Sequence, residues 1–139
     1  MGKFLFRLFT GIHAKLYKLT GGRFMGGGTD QGSVLVLTHK GAKTGKVRDT
    51  PLMSFRDGDN YLVVASAGGD ARNPGWYHNV MTNPETEINV NGETIAVRAR
   101  DAGSERDALW EKVVAAESRF ESYETRTNRV IPIVILEPR

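Results

Sequence analysis

Four cations stand close together between residues 40 and 48: Lys40, Lys43, Lys46 and Arg48, separated by Gly41, Ala42, Thr44, Gly45 and Val47. Lysine and arginine bring charge to a phosphate or carboxylate, and arginine adds two-pronged hydrogen bonding. Small neighbours let backbone N–H groups approach the same anion. A second run of small residues, Ser66-Ala67-Gly68-Gly69, has the same character. Such loops suit an anion, and they equally suit a solvated hairpin tip; composition alone leaves both readings open. The segment Asn73-Pro74-Gly75-Trp76-Tyr77-His78-Asn79 is richer in aromatic rings and amides than a covering helix needs, although an aromatic pair also fills a core.

Other chemistries lack their residues. The three histidines, His13, His39 and His78, share no metal-ligand spacing such as i, i+4, and the chain has no cysteine. No metal site, thiolate nucleophile or disulfide framework is expected. Gly41-Ala42-Lys43-Thr44-Gly45-Lys46 is one residue short of a phosphate-binding P-loop, and Val47 stands where that motif needs Ser or Thr. G-x-S-x-G and a G-x-G-x-x-G following a strand are both absent, which removes the usual grounds for an α/β-hydrolase or a Rossmann nicotinamide site.

The elements that must hold these loops are strand-like. Ser33–Thr38 is an apolar, β-branched run, followed by a polar loop to Arg48. Thr50–Arg56 and Tyr61–Ser66 are predicted to pair through Asp57-Gly58-Asp59-Asn60. Glu85–Asn91 and Glu93–Asp101 alternate apolar and polar residues around Asn91-Gly92, a type I′ hairpin signal. Between the hairpins, Asn73 is expected to cap and Pro74 to open a short helix ending near Asn83-Pro84. A longer helix is predicted from Ser104, with Asp107 as capping-box partner and Leu109, Trp110, Val113 and Val114 as its buried stripe. A second helical segment covers about 117–125, and Ile131–Leu136 forms a last strand. Six strands without βαβ alternation predict an α+β protein built on a mostly antiparallel barrel.

At 139 residues the body is one domain, of a size that buries roughly 70% of its unfolded surface. The organisation expected is an arm over residues 1–29 and a barrel domain over 30–139. The arm carries Lys3, Arg7, Lys15, Lys18 and Arg23 and no acidic residue, which leaves 14 of the 19 basic residues against all 16 acidic ones in the remainder. The body is therefore nearly neutral, the pI of about 9.3 comes from the arm, and nucleic-acid binding is not expected. Phe4, Leu5, Leu8, Phe9, Ile12, Leu16 and Leu19 make a helical stripe that Gly21-Gly22 would stop. Cations interrupt it too often for a transmembrane span or a signal peptide. Two roles remain open: packing on the body or a partner subunit, or lying on an anionic membrane surface through residues 1–20. The expected location is cytoplasmic, and in the second case peripheral to the inner face of the cell membrane.

Three segments, LVLTHKGAKTGKVRDTPL (35–52), VVASAGGDARNPGWYHN (63–79) and RTNRVIPIVILEP (126–138), resemble the deazaflavin-dependent nitroreductases in order and spacing. The likeness is specific because the G-x-K-T-G-x-x-R loop, the V-A-S-x-G-G turn and the N-P-x-W-Y-x-N helix occur together. The resemblance implies a split β-barrel that binds coenzyme F-420, an 8-hydroxy-5-deazaflavin with a phosphate and an oligoglutamate tail, and draws hydride from its reduced form. It assigns Lys43 and Arg48, with the backbone at Ala42 and Thr44, to the phosphate and acidic tail. It places Asp49, Thr50, Pro51, Leu52 and Met53, and the turn Val64-Ala65-Ser66-Ala67, against the ring and linker. Gly75, Trp76, Tyr77, His78 and Asn79 come to the deazaflavin edge.

Two departures from the family pattern stand out. Many relatives carry Lys where this chain has Ala67, so Lys40 or Lys46 is expected to compensate. The tyrosine-rich pattern of nitroimidazole-reducing relatives is reduced here to Phe120 and Tyr123 at the substrate, with Glu117 at a third such position, so nitroimidazole activation is not expected. The activity implied is hydride transfer to a small apolar unsaturated acceptor, an enone, unsaturated lactone, quinone or nitroaromatic, with the proton coming from solvent or from the hydroxyl of Ser66 or Tyr123. Two rivals share the residues: a split barrel that uses flavin mononucleotide, whose phosphate would suit the same loop, and a non-enzymatic carrier of the coenzyme or of a lipid at the membrane surface.

Overall fold

The computed structural model describes residues 32–139; the helix expected in the arm lies outside them. Six strands, β1 (Ser33–Lys40), β2 (Val47–Asp57), β3 (Asn60–Val64), β4 (Glu85–Val90), β5 (Glu93–Asp101) and β6 (Ile133–Pro138), close into a barrel in the order β1-β2-β3-β6-β5-β4. Every ladder is antiparallel. Three helices accompany it: α1 (Gly75–Thr82), α2 (Arg106–Ala116) and α3 (Arg119–Thr125). The barrel, its antiparallel character and its two hairpins are as the sequence predicts. Asn91 and Gly92 both take positive φ, 51° and 87°, the backbone that a two-residue turn of matching twist requires.

Alternation along the strands sorts the apolar residues into two bodies. Leu35, Leu37, Tyr61, Val63, Ile88, Val97, Val134 and Leu136 fill the barrel, and α1 covers one end by inserting Trp76 and Val80. Their alternates Leu62, Val64, Ile133 and Ile135 face outward with Phe55, where α2 and α3 bury Trp110, Val113 and Phe120 on them. Both faces of β3 and β6 are thus buried, which explains why these strands read as unbroken apolar runs.

The element ends differ from the sequence expectation where tertiary contacts outweigh local pattern. β1 runs on to Lys40 and β2 starts at Val47, because the polar residues His39 and Lys40 pair with Arg48 and Val47. β3 stops at Val64, short of Ser66. Helix α2 begins at Arg106; a 3-10 turn over Gly103–Glu105 precedes it, anchored by Asp101, whose Oδ1 accepts from the Gly103 N–H at 2.8 Å. Ser104 therefore does not cap, and Asp107 meets Arg106 at 3.1 Å instead of completing a capping box. Asn73 does not cap α1 either: its Oδ1 accepts from the Arg129 guanidinium at 2.6 Å.

Candidate functional site

Among the described residues the barrel wall parts between β2 and β3. β2 and β3 pair from Asp57–Asn60 to Ser54–Val63 and no further, although β2 continues toward Val47 alongside β1. Continued, that register would set Met53, Leu52 and Pro51 opposite Val64, Ala65 and Ser66. Instead β3 stays with β6, where Val64 pairs with Ile133 and the Ala65 N–H donates to the Pro132 carbonyl at 3.0 Å. The two stretches assigned by resemblance to the coenzyme's ring and linker therefore form the two lips of one split. On the β2 lip, Thr50 and Leu52 share the inward face with Leu37 and Leu35, while Asp49, Pro51 and Met53 alternate outward and are half-buried. Pro51 has no N–H to leave unpaired, which suits a strand with an open edge.

Beyond the β2 lip lies the cationic loop. Gly41 and Lys46 close it, N–H to carbonyl at 2.8 Å, and the Gly45 N–H donates to the Gly41 carbonyl at 2.9 Å. A Cβ at Gly41 would stand 2.5 Å from the Thr44 hydroxyl, so a side chain there would force Thr44 to turn away. The Ala42 N–H turns inward to Asn79 Oδ1 at 2.9 Å. The N–H groups of Lys43 and Thr44 have no acceptor among the described residues, and neither Lys40, Lys43, Lys46 nor Arg48 pairs with a described carboxylate. Loop residues 42–48 are exposed. Charge and donors without internal partners fit a ligand anion.

The opposite lip is tied down from the carboxyl-terminal segment. Ala67 (φ 47°), Gly68 (φ 65°) and Gly69 (φ 86°) form a tight 3-10 turn after Ser66. Arg129 holds that turn. Its guanidinium donates to the Ala65 and Ser66 carbonyls at 3.0 and 2.9 Å, to the Asp70 carbonyl at 2.9 Å and to Asn73 Oδ1. Every one of these acceptors is neutral, and burial pulls the arginine pKa below its ordinary value against the opposing charge of Asp70. The cation therefore adds positive potential at the split. Sequence reading placed Arg129 inside a recognised segment without giving it a role; an arginine just before a buried strand is the only signal the chain offers. Gly69 packs against α3, and a Cβ there would meet Arg126 Cβ at 2.9 Å and the Tyr123 carbonyl at 3.2 Å. Gly69→Ala combines this contact with a left-handed backbone, a conformation that alone costs about 1–2 kcal/mol, and is expected to lower Tm by several degrees in a thermal melt.

His39 was not singled out by the sequence. It is 4% exposed, with Nε2 2.8 Å from Thr50 Oγ1 and Nδ1 2.9 Å from Asn79 Nδ2. Burial, reinforced by Arg48 and opposed by Asp49, lowers its pKa to about 4. Between pH 6.5 and 4 the unfolded chain takes up this proton and the fold does not, so stability falls as pH drops through that window. Thermal melts of His39→Gln are expected to show a flatter pH dependence across the same interval.

The remaining predicted residues divide by burial. Trp76 plugs the barrel end at 7% exposure, whereas Gly75 and His78 are exposed at the start and on the open face of α1. Tyr77 donates to Asp101 Oδ2 at 2.7 Å, an anchor of α1 on β5 that, with burial first, raises its pKa to about 12. Phe120 lies in the outer core, edge-on to Phe55 at 5.8 Å and to Tyr123 at 5.5 Å. Tyr123 is half-buried, its ring 5.7 Å from the Arg126 guanidinium. The Ser66 and Tyr123 hydroxyls make no hydrogen bond to a described residue, though the Ser66 and Tyr123 carbonyls are engaged by Gly69 and Arg126 N–H groups.

A split flanked by one free cationic loop and one braced small-residue turn suits a long, flat ligand with an acidic tail. The pattern that defines the family described as "F420H(2)-dependent quinone reductase" matches residues 9–138. The chain belongs to this family. An F420H(2)-dependent quinone reductase of Mycobacterium tuberculosis is 41% identical over 132 residues, which span 92% of this chain and 89% of that protein. A solved F420-H2 dependent reductase shares 38% identity with a TM-score of 0.68, covering 75% of this chain and 93% of its own. HutZ, a heme storage protein of Vibrio cholerae, aligns over 94% of this chain and 90% of its own with a TM-score of 0.53 at 15% identity; at that identity only the fold is shared. The member described here is thus an enzyme, a reductase whose cofactor is coenzyme F-420, as the resemblance implied. The N–H groups of Lys43 and Thr44, which have no acceptor among the described residues, the tight turn at Gly41 and the β2 edge that no described strand pairs fit that group.

Proposed function

We propose that this reductase holds coenzyme F-420 with its phosphate and acidic tail on residues 43–48 and its ring in the split between Asp49–Met53 and Val64–Ala67, and reduces apolar conjugated acceptors, quinones first among them. The observation that carries the reading is the coincidence of a ladder that ends at Ser54–Val63 with a cationic loop whose lysines and Arg48 make no ion pair with a described carboxylate. When bound and reduced, the deazaflavin supplies a hydride; the protein has to orient ring and acceptor and exclude water. Loop and turn provide orientation. Apolar Met53, Pro51 and Val64 at the lips, with Tyr123 beyond the turn, provide a dry wall for an apolar acceptor. A panel of quinones, enones and nitroaromatics with reduced coenzyme tests the acceptor class. Quinone turnover at the highest kcat/KM is expected, and no turnover of any quinone would overturn the assignment.

A hydride leaves the product one proton short, and the hydroxyls of Ser66 and Tyr123, which make no hydrogen bond to a described residue, are the side-chain donors proposed for it. Where either hydroxyl is the donor, Ser66→Ala or Tyr123→Phe lowers kcat roughly 10²-fold, the usual worth of a general acid. Turnover within a few-fold for both assigns the proton to water.

No helix among the described residues is long and apolar enough to cross a membrane. For the arm, the basic stripe of residues 1–20 supports docking on an anionic surface on the cytoplasmic side. Deleting residues 1–24 is expected to weaken sedimentation with anionic vesicles while leaving coenzyme affinity intact; equal vesicle binding by both forms removes membrane docking from the account.

A further inference from the structure

We propose that His39, buried behind the β2 lip and bonded to its Thr50, is a positioning residue that fixes the anion loop through a relay of three side chains, and that coenzyme affinity depends on it. The inference rests on the reading of residues 43–48 as the coenzyme's anion site.

The relay has a determined direction. The Ala42 N–H can only donate, so the Asn79 atom 2.9 Å from it is the carbonyl oxygen, and the amide nitrogen is the atom 2.9 Å from His39. That nitrogen can only donate, so His39 Nδ1 accepts and carries no proton. The single imidazole proton therefore sits on Nε2 and is donated to Thr50 Oγ1 at 2.8 Å. In sequence the relay links loop, α1, β1 and β2: Ala42, Asn79, His39, Thr50. Its ends are the loop that offers the free N–H groups of Lys43 and Thr44 and the strand that forms one lip of the split. Among the described residues, the loop's base has one further tie to the end of α1, from the Asn83 amide just past the helix to the Lys40 carbonyl, long at 3.4 Å.

The charge state closes the argument. A second proton on the ring would turn Nδ1 into a donor facing another donor, breaking the relay. The low pKa imposed by burial keeps the ring neutral at physiological pH. Packing alone requires neither the tautomer nor the polar partners.

The test compares wild type, His39→Phe, His39→Leu, His39→Gln and Lys43→Ala as full-length proteins. It measures Ala42 amide hydrogen exchange by NMR without coenzyme, and then coenzyme Kd and the kinetic constants. Expected are exchange at Ala42 faster by tenfold or more and a coenzyme Kd raised about tenfold in His39→Phe, the worth of roughly one hydrogen bond. The kcat at saturating coenzyme and the acceptor KM should not change. His39→Gln, whose amide can accept and donate at similar spacing, should recover part of both. Unchanged Ala42 exchange in His39→Phe overturns the inference. So does an unchanged Kd in that variant where Lys43→Ala weakens binding, and the anion-site reading then stands without it. Unchanged Kd in both variants refutes the anion-site reading, and the inference falls with it. If His39→Phe does not fold, His39→Leu removes the same acceptor and donor with a smaller apolar side chain, leaves Asn79 in place and must show the same two effects.

Discussion

Arg129→Ala is expected to abolish measurable turnover at ordinary coenzyme concentrations and to lower stability by about 3–5 kcal/mol, since a charged donor's hydrogen bond is worth roughly 1.5–3 kcal/mol and several are lost together. The guanidinium is the one group that bridges the Ala65 and Ser66 carbonyls, the Asp70 carbonyl and the Asn73 side chain. Without it the Ala65 carbonyl and the Asn73 side chain lose their guanidinium donor, the Ser66 carbonyl keeps only the Gly69 N–H, and the lip facing β2 loses its shape. Arg129→Lys should recover little, because a single ammonium cannot reproduce a planar fork aimed at four acceptors. Chemical denaturation and coenzyme titration of both variants check the claim. An Arg129→Ala protein with wild-type stability and affinity would mean that the turn is held by its own 3-10 hydrogen bonds and by its contact with α3.

The second large effect concerns charge at the ligand itself. Lys43→Ala and Arg48→Ala are each expected to raise coenzyme Kd by about 10- to 100-fold, which corresponds to loss of one charge-assisted contact, and the double variant to approach the product of the two. Because both residues are exposed and make no described ion pair, their removal should leave Tm nearly unchanged. The separation between affinity and stability distinguishes a ligand contact from a structural one. Added salt should weaken wild-type binding and have a smaller effect on the double variant.

The barrel was legible from local chemistry. Asn91-Gly92 demanded a type I′ turn and the alternation of Ile88, Val90, Ile95 and Val97 set which face turns inward, whereas the burial of β3 and β6 on both faces came only with the two cores of the structure. The two lips were legible only by resemblance, since nothing local in Pro51-Leu52-Met53 or Ala65-Ser66-Ala67 says that a ladder stops between them. That depends on β3 following β6, a choice made by long-range pairing. Caps failed for a similar reason: Asn73 is a good N-cap residue, but a guanidinium from residue 129 outbids the helix N-terminus for its oxygen. His39 escaped notice because a lone histidine inside an apolar strand carries no pattern. Its role comes from partners 11 and 40 residues away.

The central claim, that coenzyme F-420 is anchored by the loop between β1 and β2, is tested most directly by fluorescence titration. Purified protein is titrated with oxidised coenzyme F-420 and, separately, with flavin mononucleotide, following the fluorescence of Trp76, which α1 inserts into the barrel end, and of Trp110, with the Lys43→Ala and Arg48→Ala variants in parallel. Saturable binding of the deazaflavin in preference to the flavin, weakened in both variants, is the predicted result. Preference for flavin mononucleotide, or deazaflavin binding that neither substitution changes, would contradict it.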